Sequence, residues 1–156
     1  MNDPIETKKA IIAQAIQDLN ADMTAIPVRK SLDVTLPVYD TGDDRLHEVD
    51  TATIMAHQSG IIAQIQRDLR LLEQHTVTVS RKIENGALVE IETNGDGTNL
   101  YYILSCCSGR EIITEKSKVT ATIVLPGAPI IEAARSRRIG VRFKVNNLYH
   151  RVVNVY

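Results

Sequence analysis

Two clusters of charged side chains are the residues best placed to do chemistry. Asp40, Asp43, Asp44, Glu48 and Asp50 fall within eleven residues, with Gly42 among them to supply a turn. Carboxylate oxygens at that density suit a hard divalent cation or a basic partner. Acids at a helix start also favour the helix dipole, by about 0.3–1 kcal/mol each, and two of the five would suffice for that. Five such charges repel one another, a cost that a cation or a basic partner offsets. The second cluster is basic: Arg135, Arg137, Arg138, Arg142 and Lys144. It reads equally as a solvated rim and as a docking patch for an acidic surface or a nucleic acid. Aromatic residues make up only 4% of the chain, with no Trp and one Phe, so a stacking platform for single-stranded nucleic acid is not expected.

The remaining reactive residues form no catalytic pattern. His47, His57, His75 and His150 stand in no HxH or HExxH spacing. Ser105 and Ser108 join no nucleophile motif, and Gly95-Asp96-Gly97 reads as a turn rather than a phosphate loop. Cys106 and Cys107 are the only cysteines, and they are adjacent. Adjacency excludes a disulfide framework and points to a reducing, cytoplasmic setting. On a strand-like run their side chains are expected on opposite faces, one thiol in the core and one at the surface.

The elements that must position these clusters are legible in the apolar spacing. Ile5, Lys9, Ile12, Ile16, Leu19, Met23 and Ile26 step by four and three, a heptad seam on a helix that Pro27 stops or kinks. Met55, Gln58, Ile62, Ile65, Leu69 and Leu72 repeat the step on a second helix from about Leu46 to His75. That helix is roughly 45 Å long, and its narrow stripe buries little unless another helix lies along it. We read the two as an antiparallel coiled-coil hairpin with the acids at its tip. Residues 27–44 admit a kinked continuation of the first helix or an extended return strand.

Beyond His75 the period shifts to two. Val77 and Val79 suit a linker or a first strand. Ala87–Ile91 and Leu100–Leu104 flank Asn94-Gly95-Asp96-Gly97, a strong hairpin signal. Further strands are expected at Glu111–Thr114, Val119–Leu125, Gly140–Val145 and Tyr149–Val155, with a turn at Asn146-Asn147 and a short helix over Pro129–Arg138. About five strands and one short helix describe a small antiparallel sheet with a helix on one face.

At 156 residues with 44% hydrophobic and 24% charged residues, the chain has ordinary globular composition. No apolar run suits a membrane span, and Met1–Pro4 lacks the start of a signal peptide. The net charge of −1 hides an asymmetry: residues 1–76 carry −5 and residues 77–156 carry +4. The expectation is two separable modules with few shared residues, a hairpin over 1–76 and a sheet domain over 77–156.

This layout resembles the bacterial transcription elongation factors of the GreA/GreB family over nearly the whole chain. The sharpest likeness is the run from Ala128 to Val141, where Pro129, Ile130, Ala133 and Gly140 fit the family's signature while Ala128, Ile131, Ala134 and Val141 depart from it. Asn147–Val155 resembles the family's closing strand and Gly86–Val89 its domain opening. The resemblance implies an α+β chain, a helical hairpin followed by a small FKBP-like sheet domain. It further implies a hairpin that enters the secondary channel of RNA polymerase, where tip carboxylates help hold Mg²⁺ for hydrolysis of backtracked RNA. Asp43, Asp44 and Glu48 would be those carboxylates, and Arg135, Arg137, Arg138 and Arg142 the docking residues. Gly42-Asp43 matches the tip motif, but three residues on the chain has Leu46 where cleavage-promoting members have Glu.

The expected protein is therefore a cytoplasmic monomer that binds RNA polymerase, with nascent RNA or DNA met only indirectly. It has no cofactor or metal of its own and is no enzyme alone, since the polymerase and its Mg²⁺ perform any cleavage. Alternatives are a non-cleaving or inhibitory channel binder, and a coiled-coil protein with another partner. A prolyl isomerase is disfavoured, because its pocket needs more aromatic residues than this chain has.

Overall fold

The computed structural model describes residues 3–26, 44–115 and 118–156, and of residues 44–52 the backbone only. The first element, α1 (Pro4–Ala25), starts where the sequence supplies a cap. Asp3 accepts a hydrogen bond from the Ile5 amide at 3.0 Å, and Pro4 occupies the first helical position. The helix ends as Ile26 turns extended (φ −70°, ψ 117°), the conformation favoured before a proline such as Pro27. The second helix, α2 (Asp44–Gln74), has 31 residues. The end of α1, at Asp22 and Ile26, shares a groove with Ile54, His57 and Ile61 of α2. The start of α1, at Lys8, lies near His75, just past the end of α2. The described parts of the two helices thus lie side by side in opposite senses.

The buried face of α1 differs from the expected seam. Thr7, Lys8, Ile11, Ile12, Ala15 and Leu19 are buried, whereas Lys9 points to solvent and pairs with Glu6 at 2.9 Å. A coiled-coil seam touches one neighbour; α1 packs on α2 and on the sheet at once, so its covered face is wider and rotated. Among the described side chains of α2, those of the last turns are the buried ones. Ile65, Leu69 and Leu72 are buried, while Met55, in the same stripe, is 44% exposed.

The second half forms one sheet from β1 (Leu88–Thr93), β2 (Thr98–Ile103), β3 (Glu111–Ile113), β4 (Thr120–Val124), β5 (Arg142–Val145) and β6 (Leu148–Val155), with the short α3 (Pro129–Arg135) between β4 and β5. The order across the sheet is β3-β4-β2-β1-β6-β5. The chain is thus α+β, and the described residues form six strands, one at or near each of the six runs expected. The sheet is mixed, not antiparallel: β2 and β4 run parallel, Leu100 opposite Ala121 and Ile103 opposite Val124. The two tight hairpins fall where expected. Asn94 and Gly95 have φ of 51° and 82°, and Asn146 and Asn147 of 49° and 64°, the positive values that primed hairpin turns demand. Val77 and Val79 lie in an irregular connection, not a strand.

Each face of the sheet has its own core. Ile83, Val89, Ile91, Ile103, Phe143 and Val152 pack with Ile131 and Ala134 of α3. On the other face Leu88, Tyr102, Leu104, Ile112 and Ile123 join Ile11, Leu19, Leu69 and Leu72 in a single cluster. Residues of both halves therefore share one core. A buried amine ties the joint together. Lys8 Nζ donates to the carbonyls of Thr78 and Gly86, both at 2.7 Å, and sits 5.8 Å from the Tyr102 ring centroid. Gly86 has φ +89°, a backbone conformation that residues with a Cβ rarely adopt, so glycine is the residue that fits.

Candidate functional site

The basic cluster divides into two places. Ile131 and Ala134 turn inward from α3 into the core, which leaves Glu132 and Arg135 facing out. Arg135 pairs with Glu132 at 2.7 Å and donates to the Pro126 carbonyl at 2.8 Å. The chain after α3 is fixed by backbone bonds from Arg137 N–H to Ala134 O (2.9 Å), Val141 N–H to Arg138 O (3.1 Å) and Gly140 N–H to Val152 O (2.8 Å). That turn presents Arg137 and Arg138 to solvent beside Arg135. Facing them across a groove of about 730 Å³ are Arg81 and Lys82 from the connection between α2 and the sheet, above a floor that includes Ile83, Val152 and Val155.

Arg81 and Lys82 were missed in the sequence. Ser80 folds the connection locally: its hydroxyl donates to Glu84 at 2.8 Å and accepts from the Lys82 amide at 3.1 Å. The available signal was a basic pair after a serine in a segment with no strong period. Five basic side chains line the groove against one acid, Glu84. Fixed cations around a concave, partly apolar surface attract anionic groups and speed their encounter.

Arg142 does not belong to this groove. It sits on β5 opposite Arg151 and lines a separate hollow of about 240 Å³ with Glu92, Asn94 and Tyr149. Arg151 is held there by an ion pair with Glu92. Lys144, two residues on, lies 5.6 Å from the Tyr149 ring.

Of the acidic cluster, Asp40, Gly42 and Asp43 lie outside the described residues. Asp44 opens α2 and Glu48 and Asp50 follow within it, with side chains outside the described part, as is that of His47. A helix of 31 residues spans roughly 45 Å at 1.5 Å per residue. Asp44 therefore stands about that far along α2 from the joint where the basic groove lies.

The described histidines have structural surroundings. His75 Nε2 is 3.1 Å from the Tyr102 hydroxyl. Burial, and then the nearby Lys8 charge, hold its pKa below the usual value. Burial also raises the Tyr102 phenol well above its usual range. His150 Nδ1 lies 3.0 Å from the Thr93 hydroxyl, its ring against Phe143. His57 lines the groove between α1 and α2. Cys106 and Cys107 are both buried, which corrects the expectation of one core and one surface thiol: they lie in a turn, where alternation does not apply. Among the described residues no group of three or more His, Cys, Asp or Glu is placed to hold a metal ion, and no helix is long and apolar enough to cross a membrane.

No family model and no curated protein matches the chain. Among solved structures, GreA factor homolog 1 (Gfh1) of Thermus thermophilus aligns over 97% of this chain and 89% of its own, at 17% identity and a TM-score of 0.34. Gfh1 of Thermus aquaticus aligns over 95% of each chain, at 15% identity and a TM-score of 0.30. Superposition at that level carries no argument about function.

Proposed function

We propose that this chain regulates transcription elongation by binding RNA polymerase, docking through its basic groove while the start of α2 reaches into the secondary channel. The observation that carries the reading is the gathering of Arg81, Lys82, Arg135, Arg137 and Arg138 around one groove at the joint, with the carboxylate-rich start of α2 a helix length away. A lever with a docking surface at one end and acids at the other suits a protein that anchors outside a channel and acts within it. The likeness of the run from Ala128 to Val141 to the GreA/GreB signature supports the same reading, since that run builds α3 and the turn bearing Arg137 and Arg138.

In this account Asp43, Asp44 and Glu48 offer oxygen ligands to Mg²⁺ in the polymerase active site. Hard cations favour such oxygens, and a second divalent ion there stabilises in-line displacement at the RNA phosphate. The chain is an accessory factor: it supplies ligands, and the polymerase cleaves. It works as a cytoplasmic monomer with no cofactor of its own, and meets nucleic acid only through the polymerase.

Leu46 favours a second form of the same role, a channel binder that does not promote cleavage. The two forms separate in an assay of RNA cleavage on backtracked complexes. A cleavage factor stimulates cleavage, and Asp43→Asn with Asp44→Asn abolishes the stimulation while binding persists, since Asn keeps the shape and capping ability but not the charge. An inhibitor stimulates nothing yet competes with a genuine cleavage factor. A chain that neither stimulates nor competes refutes the proposal.

A further inference from the structure

The polymerase reading leaves unused the two thiols in the turn after β2. Cys106 and Cys107 are only 6% and 8% exposed. Cys107 has φ +55°, a left-handed conformation that residues other than glycine rarely adopt. The turn is held by the Arg110 amide donating to the Cys107 carbonyl at 3.2 Å and the Gly109 amide donating to Ile123 O at 2.8 Å. It sends both side chains, from neighbouring residues, into one core. A groove of about 570 Å³ opens onto the pair between this turn and Gln64 and Asp68 of α2.

Two sulfurs so placed can join each other or share a third atom. Disulfides favour Cα separations of about 4.4–6.8 Å, whereas neighbouring residues across a trans peptide are held at about 3.8 Å. Direct joining is therefore strained, and a larger bridging atom relieves the strain. Structural zinc normally takes four protein ligands, and among the described residues no third His, Cys, Asp or Glu joins the pair to hold a metal. The geometry points to a dithiol chelate site: Cys106 and Cys107 together bind a trivalent thiophilic metalloid of the arsenite or organic arsenical class. With phenylarsine oxide, two As–S bonds form and the As=O oxygen leaves as water with both thiol protons. Arsenic stays trivalent, so no oxidant or reductant takes part. The neighbouring Cys107 draws the Cys106 pKa down, and Cys106 raises that of Cys107, which makes Cys106 the first thiol to attack.

The test is intact-mass spectrometry of the full chain treated with phenylarsine oxide at neutral pH without denaturant. The expected result is one arsenical per chain, retained in a large excess of glutathione, released by dimercaptopropanol, with far-ultraviolet circular dichroism unchanged. Cys106→Ser and Cys107→Ser should each lose the glutathione-resistant adduct. The glutathione competition on the wild-type chain needs no variant, so a folding defect in either one leaves the test intact. An adduct that glutathione strips from the wild-type chain, or one that forms only after unfolding, overturns the proposal.

Discussion

Lys8 is a fully buried amine whose hydrogen-bond partners are carbonyl oxygens rather than a carboxylate. Those bonds tie α1 to the connection at Thr78 and Gly86. Lys8→Met keeps the apolar stem and removes the donor, leaving the Gly86 carbonyl without it. Hydrogen bonds to charged groups are each worth about 1.5–3 kcal/mol, so losing both predicts a loss of about 3 kcal/mol or more in denaturant unfolding; an unchanged midpoint would show that the amine contributes nothing net. His75 gives the joint a pH dependence. Its folded pKa lies below 6.5, because burial and then Lys8 disfavour the charged ring. The unfolded chain thus binds the proton more readily, and the stability His75 contributes is complete above pH 6.5 and declines as pH falls through the lower folded value. Unfolding measured from pH 7.5 to 5 should show that decline, and His75→Gln should flatten it; equal slopes would assign the effect elsewhere. Neither role was legible in the sequence. The heptad count favoured Lys9 over Lys8, and no spacing rule places a lysine under a tyrosine ring nearly a hundred residues away.

The elements were more legible than their partners. Asn94-Gly95 and Asn146-Asn147 announced their turns because few residues tolerate positive φ. Alternation marked β1, β2, β4 and β6 because each has at least one covered face. The parallel pairing of β2 with β4 was not visible, since alternation reports which face is covered and not which strand lies alongside. The turn at 105–109 has no asparagine–glycine pair to signal it, so Cys106 and Cys107 were read as strand. The clearest stability test at this scale is Gly60, inside α2, where an added Cβ meets nothing within 4 Å. Glycine in an exposed helix interior costs about 1 kcal/mol relative to alanine. Gly60→Ala should raise stability by about that amount in thermal melts, and a lower melting temperature would mean that α2 is not a continuous helix there.

At the scale of the molecule, the core shared by Ile11, Leu19, Leu69 and Leu72 with Leu88, Tyr102 and Ile123 joins the two halves, and Arg110 adds an ion pair to Asp22 at 2.6 Å. Cleavage within the connection at 76–86 should therefore yield fragments that stay together on gel filtration without denaturant; separate elution would mean that the helices and the sheet do not share this core in solution. The basic cluster at 135–144 marked only one side of the groove in the sequence. Arg81 and Lys82 became part of the groove because the connection folds back beside α3. The proposed docking of this groove on RNA polymerase is tested most directly by the equilibrium affinity of the full chain for purified bacterial core polymerase at low salt. We expect saturable binding that weakens as salt screens exposed charges, and that falls at least about tenfold, roughly 1.4 kcal/mol, when Arg137→Glu and Arg138→Glu are combined. No binding by the wild-type chain, or equal affinity for the doubly reversed one, would contradict it.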